Sequence, residues 1–171
     1  MKKIEIDPKE VIHYYVDGGV KCRVGVAAFI RKGFGLNPHQ EVRVYKSSKK
    51  KSTTDCEIRA VELAVEDAQK NGFDLSKVVI HSDQIALSRF KIKDKESRLY
   101  KFREKLQEIG VNVVYTQSTH DLEQYKNTPE ENIPKRILNS LAVHNLVSKS
   151  FRVRNRYQNH LCKRNRKKNA A

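Results

Sequence analysis

The sequence predicts an α/β domain: a five-stranded mixed sheet, ordered β-β-β-α-β-α-β-α, with helices packed on its faces. Two observations carry that expectation. Before residue 50, three strand-patterned segments follow one another, joined by links too short to hold a helix. From residue 54 onward, helical periodicity alternates with short apolar runs. A length of 171 residues suits one domain with a real core.

Residues 11–16 (VIHYYV) are a near-continuous apolar and aromatic run, and Asp17-Gly18-Gly19 reads as a turn closing a first strand. Residues 22–30 alternate, with Cys22, Val24, Val26, Ala28 and Ile30 on one face. Gly33, Gly35, Asn37 and Pro38 then mark a loop, and 41–46 alternates as a third strand, so the three form an antiparallel meander. Over 54–71 the period changes: Glu57, Val61, Ala64 and Ala68 recur at helical spacing, and Asn71-Gly72 ends the run. Residues 78–80 make a short buried strand, 84–90 one or two helical turns, and 96–109 a helix stopped by Gly110. A fifth strand covers 111–116, and a final amphipathic helix begun by Asn132 and Pro134 covers 134–150. The expected organisation is therefore a domain over 1–150 and a basic C-terminal tail over 151–171.

Charge narrows the partners. The formal net charge is +15, and after Glu131 there is no Asp or Glu, so the last forty residues are purely basic in their charge. That asymmetry points to a polyanion, nucleic acid before a membrane surface. No stretch approaches the ~20 apolar residues of a membrane span, and MKKIEIDPKE has no apolar region of a secretory signal. Cys22, Cys56 and Cys162 lack CxxC spacing and read as reduced thiols, the first two as small core residues. A cytoplasmic monomer is expected.

Three acids lie beside apolar segments: Asp17 after the first strand, Glu57 at a helix start, Asp83 after KVVIHS. An acid at such a place is costly unless something positive sits beside it. If their elements pack side by side, a divalent cation is the natural neutraliser. Each acid also has a plainer reading. Asp17 fits an Asp-Gly turn, Asp83 a helix N-cap, and Thr54-Asp55-Cys56-Glu57 the capping-box spacing. Glu57, however, shares its stripe with Val61, Ala64 and Ala68 and should lean toward the sheet.

Strand-terminal V-D-G-G, the helix entry S-T-T-D-C-E and V-V-I-H-S-D-Q, in that order, resemble the type 1 ribonuclease H family over about residues 10–150. The resemblance implies a ribonuclease H-like fold and endonucleolytic cleavage of the RNA strand of RNA–DNA hybrids. It also implies two ions of Mg2+ or Mn2+ held by Asp17, Glu57 and Asp83. Hard divalent ions prefer such carboxylate oxygens. The chain departs from the family where the final helix normally supplies a fourth carboxylate. One alignment puts His144 there, another Asn139; His144 is favoured, since histidine can bind a metal or relay a proton. A helix histidine without a role is the plainer alternative.

Other departures bear on substrate. The family's paired asparagines are Thr53 and Thr54 here, and the serine after the first Asp-Gly is Gly19. His120 resembles a loop histidine linked to product release. The family's basic insert is missing apart from Arg89, Lys91, Lys93 and Lys95. Thr53, Thr54, Arg152, Arg154 and Arg156 are the expected nucleic-acid contacts, while Phe151 and Tyr157 could stack on bases or tether the tail. The runner-up function is a nucleic-acid-binding module of the same fold with weak or no catalysis. A junction resolvase or transposase core is a third reading, opposed by the glutamate between the third and fourth strands.

Overall fold

The computed structural model describes residues 11–21, 24–33, 36–46, 52–84, 87, 97–116, 125 and 127–168, without the side chains of Lys46 and of residues beyond Arg152. Five strands form one sheet: β1 (Ile12–Lys21), β2 (Val24–Lys32), β3 (His39–Lys46), β4 (Val78–Ser82) and β5 (Asn112–Tyr115). Their spatial order is β3-β2-β1-β4-β5. β1, β2 and β3 pair antiparallel, as their short links require, while β4 joins β1 and β5 joins β4 in parallel. Among the described residues three longer helices are seen, α1 (Thr53–Lys70), α2 (Arg98–Glu108) and α3 (Lys135–Lys168). The expected mixed sheet and element order are thus observed. The helical turns expected over 84–90, apart from Gln84 and Leu87, lie outside the described residues, as do His120 and the lysines of 91–95.

The interior strand β2 is buried on both faces over Gly25–Ile30, so the side of it that the sequence alternation left outward is covered as well, while β3 and β5 remain partly exposed. On one face Tyr14, Val16, Ala27, Phe29 and Ile80 meet Val61, Leu63 and the small residues Ala60, Ala64 and Ala68 of α1. On the other, Tyr15, Val26, Ala28 and Ile30 meet Val143 and Val147 of α3. Each large side chain so removed from water contributes roughly 1.5–3 kcal/mol. Gly72 and Gly110 follow α1 and α2 with φ of 71° and 78°, the left-handed geometry that glycine adopts without a Cβ penalty.

Three details differ from readings that the sequence allowed. β1 does not turn at Asp17-Gly18-Gly19: those residues pair with Ala28, Ala27 and Val26 deep in the sheet, so Asp17 is interior to a ten-residue strand. The glycines serve contact instead. A Cβ on Gly18 would lie 2.3 Å from the Cys56 carbonyl carbon and 2.5 Å from the Glu57 nitrogen, so the backbone of α1 rests directly on β1 there. Second, α1 is capped by Ser52, whose hydroxyl accepts from the Asp55 amide while Asp55 accepts from the Ser52 amide. Asp55 therefore completes the capping box, and Glu57 has no part in it. Third, the backbone of α3 continues to Lys168, well past residue 150; Lys135–Lys168 contains neither glycine nor proline to stop it.

A polar brace ties α1 to the sheet at the opposite end from Glu57. Asp67 Oδ2 accepts from Tyr14 Oη and Arg31 Nη1, both at 2.7 Å, and its Oδ1 accepts from Asn71 Nδ2 at 3.1 Å. Arg31 also lies over the Phe73 ring. No helix among the described residues is long and apolar enough to cross a membrane.

Candidate active site

Side chains alternate along β1, so Tyr15 and Asp17 face α3 while Val16 and Gly18 face α1. Asp17 is held in a largely buried place, its side chain 13% exposed. In α3, Val143 and Val147 dock on the sheet, which fixes the rotation of the helix. His144 then meets Asp17, with Nδ1 3.0 Å from Oδ2, while Ser148, one turn on, places its hydroxyl 3.4 Å from Nε2. Asn139 points elsewhere: its Oδ1 accepts from Lys32 Nζ. Of the two registers the sequence allowed, it is His144 that stands beside the acid.

Asp83 arrives from β4. Tyr15 pairs with His81 in the parallel β1–β4 register, and both acids come two residues later. The turn after β4 is set by Ser82, buried, whose Oγ accepts from the Gln84 amide at 3.1 Å and whose carbonyl accepts from the Thr116 amide. Glu57 comes from the first turns of α1, set down by the glycine contact of Gly18. Its Oε2 accepts from Gln84 Nε2 at 2.6 Å. Thr53 and Thr54 lie one turn earlier on the same helix, exposed and half-buried respectively.

The four groups sense one another. Burial pushes the Glu57 carboxyl up to about 7, the Gln84 hydrogen bond works against that, and the charges of Asp83 and Asp17 add to it. Asp83 is likewise raised, first by burial and then by Asp17, with His144 acting in the opposite sense. His144 is raised, chiefly by its hydrogen bond to Asp17. The arrangement is thus a partly desolvated cluster of anions with one imidazole to offset them. Among the described residues no three of its members are drawn together as a ready-made metal cluster.

Beside this cluster lies a stack that the sequence pattern did not single out. His13 Nδ1 is 2.9 Å from His81 Nε2, and His81 stacks on Tyr15 with ring centroids 4.4 Å apart. Burial, and then the charges of His13 and Arg136, push His81 down to about 4. Only His81, two residues before Asp83, carried a positional signal. Gln84 and Ser148 are further site neighbours that sequence reasoning did not reach; Gln84 adjoins Asp83 in sequence and Ser148 is i+4 from His144. Phe151 packs against Gly19 and the second core, so of its two possible roles it is the packing one that is observed. Arg152 is exposed; the side chains of Arg154, Arg156 and Tyr157 lie outside the described set.

No protein-family model matches the chain, and no curated protein matches it by sequence. Solved structures do match. The structure of ribonuclease H1 from the halophilic archaeon Halobacterium salinarum NRC-1 aligns with a TM-score of 0.52 at 13% identity, over 64% of this chain and 88% of that one. That of LC11-RNase H1 in complex with an RNA/DNA hybrid aligns with a TM-score of 0.51 at 19% identity, over 66% and 89%. The protease-reverse transcriptase of prototype foamy virus aligns with a TM-score of 0.54 at 14% identity, over 85% of this chain but 21% of that one. At such identities the likeness is one of fold. The chain has the ribonuclease H-like fold, with its strand order and helices.

Proposed function

We propose that the protein is a divalent-metal-dependent endoribonuclease of the type 1 ribonuclease H class, cutting the RNA strand of RNA–DNA hybrids to leave 5′-phosphate and 3′-hydroxyl ends. One observation carries this reading: on a ribonuclease H-like sheet, Asp17, Glu57 and Asp83 come from three separate elements into one electrostatic cluster. A purely structural acid has no reason to be buried against two others. The LC11-RNase H1 structure contains an RNA/DNA hybrid, which suits the same substrate class.

The residues fit a hard divalent cation. The donors are carboxylates without a thiolate, and burial leaves their charge under-compensated, as the raised Glu57 and Asp83 carboxyls register. Asp17, Glu57 and Asp83 would hold Mg2+ or Mn2+, two ions in a site of this class, which when bound supply an activated water and charge stabilisation at the leaving 3′ oxygen. The chain's own contribution is positioning. Gln84 holds the Glu57 carboxylate in one orientation, and the Gly18 contact sets how far that carboxylate stands from β1. His144 takes the fourth position, orienting Asp17 through Nδ1 and leaving Nε2, beside Ser148, to carry a proton. Thr53, exposed, and Thr54, half-buried, one turn before Glu57, would be the contacts with the hybrid on this helix.

A second reading, a nucleic-acid-binding module with weak or no catalysis, is favoured by one observation: His144 rather than an acid meets Asp17 and already offsets part of its charge. Purified protein assayed on a labelled hybrid in Mg2+ and Mn2+ separates the two. The nuclease reading expects cleavage by the wild type, none by Asp17→Asn with binding retained, severe loss in His144→Ala, activity in His144→Asp, and little change in Asn139→Ala. Tight binding with no cleavage by the wild type in either metal selects the second reading.

A further inference from the structure

We infer that residues 152–168 of α3 form an arm that lies along the same nucleic-acid duplex as the acid cluster, and that contact with its phosphates stabilises the arm's helix. The inference rests on the reading that the acid cluster engages such a duplex. The starting point is continuity. Val143, Val147 and Phe151 seat the first half of α3 on the sheet, Ile137 is buried one to two turns earlier, and the backbone runs on without interruption to Lys168. From His144 to Lys168 the helix advances roughly 36 Å at 1.5 Å per residue. The arm therefore leaves the core from the very element that carries His144, in a direction fixed by the seated half.

Charge says what the arm meets. Between Arg152 and Lys168 the sequence has eight Lys and Arg and no acid. Arg152/Arg156, Lys163/Lys167 and Arg164/Lys168 are like-charge pairs at i,i+4, each opposing the helix by a few tenths of a kcal/mol. No Glu–Lys pair offsets them, and a segment of this length is marginal as an isolated helix in water. A helix burdened in this way gains from a surface that neutralises it over its whole length. Duplex nucleic acid offers one phosphate charge per ~1.7 Å of axis, so the roughly 25 Å arm runs beside about fifteen phosphates of the two strands. A membrane-surface helix instead needs a wide apolar face, and the segment has only Val153, Tyr157, Leu161 and Cys162 to offer.

The test separates arm from catalysis. Full-length Asp17→Asn protein is titrated with blunt RNA–DNA hybrids of about 8 to about 30 base pairs, reading affinity by anisotropy and helix content by far-UV circular dichroism. A second protein adds R152Q, R154Q, R156Q, K163Q and R164Q, which leave the packed half of α3 untouched. Affinity of the parent should rise with duplex length until site and arm are both spanned, with a gain in helical ellipticity. The neutralised protein should show neither that rise nor that gain, and its log K versus log[salt] slope should fall by roughly 0.9 for each phosphate that the arm no longer neutralises. An identical length dependence and salt slope in both proteins overturns the inference. So does an ellipticity gain on anionic phosphatidylserine vesicles that hybrids do not reproduce. Failure of the nuclease reading shows differently: the wild type would cut no hybrid while the arm-dependent binding persisted.

Discussion

Replacing Gly18 by alanine tests the physical link between fold and site most directly. The added Cβ would stand 2.3 Å from the Cys56 carbonyl carbon, 2.4 Å from its oxygen and 2.5 Å from the Glu57 nitrogen. All three are backbone atoms of a helix packed along its length, so no side chain can swing aside. To restore ordinary contact, the start of α1 must lift from β1 by about 1 Å, given carbon contacts of ~3.5 Å. Overpacking of this kind costs about 1–3 kcal/mol. In a protein of this size that is a melting-temperature drop of roughly 2–12 °C. The lift carries Glu57 with it, and misplacement of a catalytic group by about 1 Å can cost on the order of 100-fold in rate. Single-turnover hybrid cleavage, run well below the melting temperature, separates this loss from unfolding. Gly19→Ala is the control: the nearest atoms to its Cβ would be side-chain carbons of Phe151 and Val147 at 3.4 Å, and near-wild-type melting and cleavage are expected. If Gly18→Ala melts and cleaves like the wild type, the close approach of helix to strand does not set the position of Glu57.

Two further outcomes follow from the charge arrangement. Glu57, raised to about 7 from an ordinary 4.5, keeps a proton in the folded chain that the unfolded chain has released. In EDTA it therefore makes the folded state less stable as pH rises from about 4.5 through 7. Denaturant melts at a series of pH values should show the stability of Glu57→Gln, relative to wild type, climbing over that window and levelling above it; a flat difference refutes the raised carboxyl. At the far end of α1, Asp67→Ala strips the partner from Arg31, whose side chain is only 12% exposed. Loss of about 3–5 kcal/mol is expected, read by calorimetry, with cleavage retained at temperatures where the variant remains folded.

Much of the architecture was legible because each element announced its period: alternation before residue 50, the Glu57-Val61-Ala64-Ala68 stripe afterward, and the Asn71-Gly72 stop. The departures have a common physical origin. Asp17-Gly18-Gly19 looks like a turn because glycine's local freedom is visible in sequence, whereas the close approach of Cys56, some forty residues away, is not. Thr54 and Glu57 fit the capping-box spacing although Ser52 and Asp55 form the box; both pairs have the required separation, and only the backbone at the helix start decides. His144 and Asn139 lie five residues apart, about 140° around the helix, so pattern alone leaves two registers open. It is Val143 and Val147 seating on β1 and β2, with Lys32 engaging Asn139, that fixes the rotation of α3. The continuation of that helix past residue 150 is hard to read because apolar spacing fades there while nothing breaks the backbone.

The central place of β1 limits how this protein can change. Strand faces alternate residue by residue, so one inserted or deleted residue before Asp17 would turn the acid toward α1 and present the following position to α3. The Gly18 gap would then open on the wrong side, and Asp17 would lose both His144 and its place beside Asp83. Substitution can adjust such a strand; length variation cannot, because both helices take their seating from it at once.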